Sequence, residues 1–176
     1  SCTNFNYWIA LLPLAMKNVR IELKWGLIYT AVQLLWMAGE KLTGLHGPHI
    51  AEHALYTNLL AIPAVLVYLL ALLDKRKNYY QGSMTYRQGF QTGLLLTAIV
   101  TLLTPLSMWL TVRVISPEFF SNFQEYAVQS GQMNEEQAAD YFQLQSYIIQ
   151  SLFGAATMGT VTAALVALVT RKKAPR

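Results

Sequence analysis

The residues with the clearest capacity for chemistry lie close together, in the segment LHGPHIAEH at residues 45–53. This segment contains all three histidines of the chain, which are His46, His49 and His53. If Pro48 starts a helix, as proline at the first helical position favours, His49 and His53 stand four residues apart on one face. HIAEH then matches the H-x-x-E-H pattern, in which two histidines bind zinc and the glutamate, here Glu52, is a general base.

Such a zinc site needs a third ligand. The predicted topology places four candidates on the same side of the membrane: His46, Glu40, Glu118 and Glu125. A five-residue pattern also arises by chance, and no other part of the chain resembles a peptidase. The leading interpretation is therefore a polar turn between two apolar helices. Binding of a divalent transition metal by His46, His49 and His53 is the alternative, and metal-dependent hydrolysis is a remote extension of it.

The elements that must position these residues are indicated by composition. Apolar residues make up 54% of the 176-residue chain and charged residues only 12%, far below the share usual in soluble domains. Four segments approach the roughly 20 apolar residues that cross a bilayer, at about 23–43, 55–73, 89–112 and 146–170. The sequence thus predicts an all-α, polytopic integral membrane protein with four transmembrane helices.

The orientation of these helices follows from the Lys and Arg residues in the connections. Three regions are basic, and they hold Lys17, Arg20 and Lys24, then Lys75, Arg76, Lys77 and Arg87, and finally Arg171, Lys172, Lys173 and Arg176. The other two connections carry only Lys41 and Arg113. We therefore predict that both termini are cytoplasmic and that the basic clusters contact anionic lipid headgroups, not nucleic acid.

The connection at residues 113–145 is long enough to form its own structure. Ser116, followed by Pro117, resembles a helix start, and Gly131 a helix stop. Asn134 with Gln137 resembles a capping box, after which helix could continue unbroken into the fourth span. We predict an extracytoplasmic helical hairpin between the third and fourth transmembrane helices.

The fourth span carries a stripe of small residues, one every four positions: Ser151, Ala155, Gly159, Ala163 and Ala167. Such a stripe lets two membrane helices approach closely. It can serve packing inside one bundle or a seam with a second copy or another membrane protein.

Residues 1–15 fit the membrane pattern poorly, and Met16 precedes a basic segment that leads directly into the first span. We interpret residues 1–15 as an upstream or non-native extension and residues 16–173 as a single membrane domain.

Several segments together resemble a family of small bacterial inner-membrane proteins known only as a domain of unknown function. They are MKNVRIELKWGLIYTAVQLLWMAGEKLTGLH, YTNLLAIPAVLVYLLALLDKRKN, MTYRQGF and SYIIQSLFGAATMGTVTAALVALVTRKK. The resemblance covers residues 16–173 and implies a four-helix protein of the bacterial inner membrane. It implies no activity, substrate or cofactor.

Three functions remain open from sequence. The leading hypothesis is a non-enzymatic membrane protein that acts through helix association, as a homo-oligomer or an accessory subunit, without a cofactor. Metal binding at the histidines is the first alternative. Transport of a small solute or ion is the second, because Pro63 and Pro105 interrupt predicted spans and free backbone carbonyls.

Overall fold

The computed structural model describes residues 2–172, and the side chains of residues 19–172. Seven α-helices lie in this part of the chain: α1 (Cys2–Leu42), α2 (His53–Asn58), α3 (Ala61–Asn78), α4 (Tyr86–Leu110), α5 (Phe119–Gln129), α6 (Glu135–Tyr141) and α7 (Leu144–Thr170). No strand occurs among the described residues, so the all-α prediction is confirmed. The predicted extension at residues 1–15 lies outside the residues whose side chains are described.

Three helical stretches are long and apolar enough to cross a membrane: Ile50–Asn78, Tyr86–Ile115 and Leu144–Thr170. They correspond to the second, third and fourth predicted spans and indicate a membrane protein. The first predicted span, residues 23–43, falls within α1 but is not among them. The count of four spans therefore stays a prediction.

Helix α4 is the centre of the bundle and contacts α1, α3 and α7. Its most extensive contact is with α7, where small residues allow the two backbones to approach closely. A Cβ atom added to Gly93 would lie only 2.5 Å from the Cβ of Ala163. Gly89 lies in the same way against Ala167. These four residues form the α4–α7 seam, which buries one core of the bundle.

One end of the bundle is held by ion pairs between α1 and α3. Lys75 Nζ lies 2.9 Å from Glu22 Oε1, and both side chains are almost completely buried. Beside this pair, Lys24 contacts Asp74, whose carboxylate also accepts a hydrogen bond of 2.7 Å from Trp25 Nε1. One buried ion pair and one more exposed pair thus connect the first helix to the end of α3.

The same end is closed by contacts with the end of α7. Arg76 Nη1 donates a hydrogen bond of 2.8 Å to the carbonyl oxygen of Thr170. Met84 and Lys172 form an isolated antiparallel bridge with two backbone hydrogen bonds. Among the described residues, Lys24, Lys75, Arg76 and Lys172 therefore lie at the same end of the fold.

Helices α5 and α6 pack against each other at the opposite end. Asn134 and Gln137 form the predicted capping box, with Gln137 N donating to Asn134 Oδ1 at 2.8 Å, and Gly131 has the positive φ of +70° expected at a helix stop. The predicted unbroken continuation into the last span is wrong. Helix α6 ends at Tyr141, and the chain is not helical at Phe142 and Gln143 before α7 begins.

The prediction of a helix from Pro48 is also wrong. Residues Ile50–Glu52 form a 3₁₀ turn, and α-helix begins only at His53. A second interruption at Leu59 and Leu60 separates α2 from α3. Pro63 explains it, because proline has no N–H to donate to the carbonyl four residues earlier. Pro105, by contrast, lies inside α4 without ending it.

Candidate functional site

The chain reverses direction after α1 and brings the histidine segment next to Glu40. Gly44 adopts a φ of +82°, which reverses the chain directly after the helix. The amide of Leu45 donates a hydrogen bond of 2.9 Å to the Glu40 carbonyl, and that of His49 donates one of 2.9 Å to the Gly44 carbonyl. This turn places His46 against the last turns of α1.

Three side chains converge there: Glu40, His46 and His53. Glu40 Oε2 lies 3.3 Å from His46 Nε2 and 3.7 Å from His53 Nδ1. One ligand atom from each residue lies within 4.8 Å of the other two. Glu40 and His46 are buried, and His53 is nearly so. We call these three residues the Glu40 cluster.

Two imidazole nitrogens of the Glu40 cluster lack hydrogen-bond partners. His46 Nδ1 and His53 Nδ1 are both buried, and neither makes a hydrogen bond within the described residues. A buried nitrogen without a partner costs free energy, so such atoms call for an explanation. A bound metal would supply one for His53 Nδ1, which points toward Glu40.

Helix α5 covers the cluster with aromatic rings. The ring of His46 stands edge-on to Phe119 at a centroid distance of 4.9 Å, and that of His53 edge-on to Phe123 at 4.7 Å. Asn122 Nδ2, on the same helix, donates a hydrogen bond of 2.6 Å to the carbonyl oxygen of His46. The phenyl rings exclude water from one side of the cluster.

Glu40 itself is oriented by a hydrogen bond. Trp36 Nε1, one helical turn earlier on α1, donates to Glu40 Oε1 at 2.8 Å. This bond leaves Oε2 directed at the two histidines. Sequence reasoning missed this role of Trp36, for which the spacing of four residues is the only signal.

The other residues proposed from sequence lie elsewhere. His49 and Glu52 are exposed, and neither belongs to the Glu40 cluster. Glu118 accepts a hydrogen bond of 2.7 Å from Lys41 Nζ, which holds the pKa of the exposed Glu118 carboxyl below its usual range. Glu125 is exposed and accepts a hydrogen bond from Gln129. The structure therefore brings together His46 and His53 with Glu40, and not the HIAEH set.

The small-residue stripe of α7 is divided. Gly159, Ala163 and Ala167 are buried inside the chain against α4 and its neighbours, while Ser151 and Ala155 are half-buried. Three of the five residues of the stripe are thus already packed within one chain.

Comparison with known proteins places the chain in a family. The family model described as a protein of unknown function, DUF4199, matches residues 24–172. The chain belongs to this family. The DUF4199 match includes all three residues of the Glu40 cluster, but the description assigns them no role. No curated protein and no solved structure gives a significant match.

The geometry of the cluster in this DUF4199 chain is close to that of a metal site. Zinc–ligand bonds of about 2.0–2.2 Å in a tetrahedral site place neighbouring ligand atoms roughly 3.3 Å apart. The separations of 3.3 and 3.7 Å around Glu40 Oε2 are near that value, and the three ligand atoms all lie within 4.8 Å of one another. Two histidines with one carboxylate are a ligand set used by zinc and by non-haem iron, and they leave at least one coordination position open.

Proposed function

We propose that this protein is a multi-pass protein of the bacterial inner membrane that binds a divalent transition metal through Glu40, His46 and His53. The observation that carries the proposal is the convergence of three ligand atoms within 4.8 Å in a buried site. The alternative for the same residues is a hydrogen-bonded polar turn. That alternative accounts for the bond between His46 and Glu40 but leaves His53 Nδ1 without a partner.

Helix association through the α7 stripe is the weaker candidate. Its strongest feature was a continuous row of small residues, and the buried part of that row already packs on α4. The Glu40 cluster, by contrast, retains a buried nitrogen, His53 Nδ1, that makes no hydrogen bond within the described residues.

The proposed orientation places the Glu40 cluster at the outer face and both termini in the cytoplasm. Its support is the grouping of Lys24, Lys75 and Arg76 with the end of α7 at one end of the bundle. Glu40 lies 18 residues after Glu22 on α1, which corresponds to about 27 Å of helix. The two sites are therefore separated by roughly the thickness of the hydrocarbon core.

Labelling of single cysteines in intact cells tests this orientation. We expect a membrane-impermeant maleimide to label a Gln132→Cys variant, in the turn between α5 and α6, once Cys2 is replaced by Ser. A Gln81→Cys variant, in the exposed turn between α3 and α4, should react only after the membrane is opened. Labelling in the reverse order would invert the proposed topology, and equal labelling of both in intact cells would contradict it.

Metal titration tests the function. Purified protein without a histidine tag should take up one Zn²⁺ or Co²⁺ per chain, measured by elemental analysis and, for Co²⁺, by visible absorption. We expect His53→Ala and Glu40→Gln each to weaken binding by at least about a hundredfold, because changes even beyond the direct ligands cost 10- to 100-fold. The matched control is His49→Ala, from the same segment but exposed and outside the cluster, which should change affinity less than about twofold.

Two outcomes would reject the metal proposal. One is failure of the wild-type protein to bind either ion near one equivalent after removal of chelators. The other is equal loss of binding in the His49→Ala and His53→Ala variants, which would show that the ion is held by exposed histidines instead of the cluster. Far-UV circular dichroism of each variant verifies that the helices are intact.

A further inference from the structure

An apolar cavity of about 400 Å³ lies directly beside the Glu40 cluster. This volume is within the range of small-molecule sites, roughly 300–1,000 Å³. Its walls include Leu35 and Gly39 of α1, Leu45 of the following turn and Leu59 after α2. Among its lining residues Glu40 alone carries a charge, so an occupant of this cavity lies next to the proposed metal ligand.

Gly39 contributes no side chain to the wall of the cavity. A glycine inside a helix costs about 1 kcal/mol relative to alanine, and close packing is the usual compensation. Here no atom within the described residues lies within 4 Å of the position where a Cβ atom would stand. Packing inside the described part of the chain therefore does not require the glycine, and a larger side chain at this exposed position would have room to project into the cavity.

The surroundings of the cavity define the chemistry of that molecule. Leu35 and Leu59 are exposed at its edge, with 73% and 43% of their surfaces accessible, where the proposed topology puts lipid chains. An alkyl chain therefore matches the walls. An alkyl chain alone would make no polar contact at the end of the cavity that Glu40 lines. A metal held by three protein ligands retains an open coordination position there, which an oxygen donor can fill.

We infer that the additional ligand of the metal is an amphiphile, with an alkyl chain in the cavity of Leu35, Gly39 and Leu59 and a metal-coordinating oxygen head beside Glu40. This inference rests on the proposed metal function. The site would then exchange this amphiphile with the lipid phase, because the cavity that leads to the ion has apolar walls.

Alkyl hydroxamates test the inference, because their two oxygens coordinate transition metals. Decanohydroxamic acid and acetohydroxamic acid are titrated into Co²⁺-loaded protein in one fixed detergent, and the visible absorption of Co²⁺ reports coordination of the head. In a Gly39→Leu variant the new side chain occupies the cavity. We expect this variant to raise the half-saturating concentration of decanohydroxamic acid at least about tenfold, as expected if roughly two CH₂ groups leave the cavity. For acetohydroxamic acid the change should be less than about twofold.

A Gly154→Leu variant is the matched control, because Gly154 on α7 also has no atom within 4 Å of its Cβ position and does not line the cavity. It should change neither half-saturating concentration. Partition of the long chain into detergent is the same for all variants and cancels in the comparison.

The outcomes separate this inference from the proposed function. Failure of the wild-type protein to take up Co²⁺ rejects both. Metal uptake with both hydroxamates unaffected by Gly39→Leu rejects the amphiphile and leaves the metal site. Binding of the long chain without any change in the Co²⁺ spectrum identifies the cavity as a lipid groove only, which also overturns the inference.

Discussion

Replacement of Glu22 by Gln is expected to destabilise the folded bundle by about 3–5 kcal/mol, the cost of removing one partner from a buried ion pair. Lys75 would then be a buried cation without its carboxylate, since its side chain is only 4% accessible. The contact of Lys75 Nζ with the Tyr79 ring, at 4.2 Å from the centroid, would offset only part of this loss. Unfolding in a detergent titration, followed by circular dichroism, measures the change.

A double variant and an exposed pair serve as controls for this prediction. Glu22→Leu combined with Lys75→Met should restore most of the stability, because apolar replacement of both partners of a buried pair is often neutral. Lys24→Met, at the neighbouring pair with Asp74, should cost no more than about 1 kcal/mol because Lys24 is 53% accessible. Equal losses from Glu22→Gln and Lys24→Met would contradict the distinction between the two pairs.

Gly93→Leu is expected to destabilise the bundle by about 3 kcal/mol, at the upper end of the usual cost of overpacking. Even a single Cβ atom at this position would lie 2.5 Å from the Cβ and 3.0 Å from the Cα of Ala163, so the backbones of α4 and α7 would have to separate. Gly93→Ala should give a smaller loss, although alanine favours helix. Thermal unfolding in one detergent compares the variants.

The control for the α4–α7 seam is Gly154→Leu, which lies on α7 but outside the seam. Among the described residues, no packing neighbour lies within 4 Å of the Cβ position of Gly154, so we expect no loss of stability and a small gain from the better helix former. If Gly154→Leu is as destabilising as Gly93→Leu, the effect comes from placing leucine in a membrane helix and not from the seam.

Much of the fold can be predicted from sequence because it depends on local patterns. The apolar stretches locate the three helices that are long enough to cross a membrane, since span length follows from bilayer thickness. The capping box of Asn134 and Gln137 is equally local, because both partners lie within one turn.

The arrangement of the site depends on contacts that a local pattern does not contain. HIAEH matched a zinc pattern only if its residues formed an α-helix, and the chain instead forms a 3₁₀ turn, which leaves His49 exposed. Which histidines converge on Glu40 is decided by the chain reversal at Gly44 and by the rings of Phe119 and Phe123. The two phenylalanines lie about 70 residues away in sequence.

The buried ion pair shows the same limit. Glu22 and Lys75 are 53 residues apart, and from sequence Lys75 is simply one of several cations that set topology. Its burial follows from α1 and α3 being neighbours, which no spacing within either segment indicates.

The α4–α7 seam also has a consequence for biosynthesis. The groove at Gly89 and Gly93 is filled by Ala163 and Ala167 of α7, a helix that is synthesised after α1, α3 and α4. Until α7 has been inserted, α1, α3 and α4 can pack together, but this groove faces lipid. Met84 then also lacks Lys172, with which it forms the isolated bridge. The nascent protein therefore completes this core only after α7 has been translated.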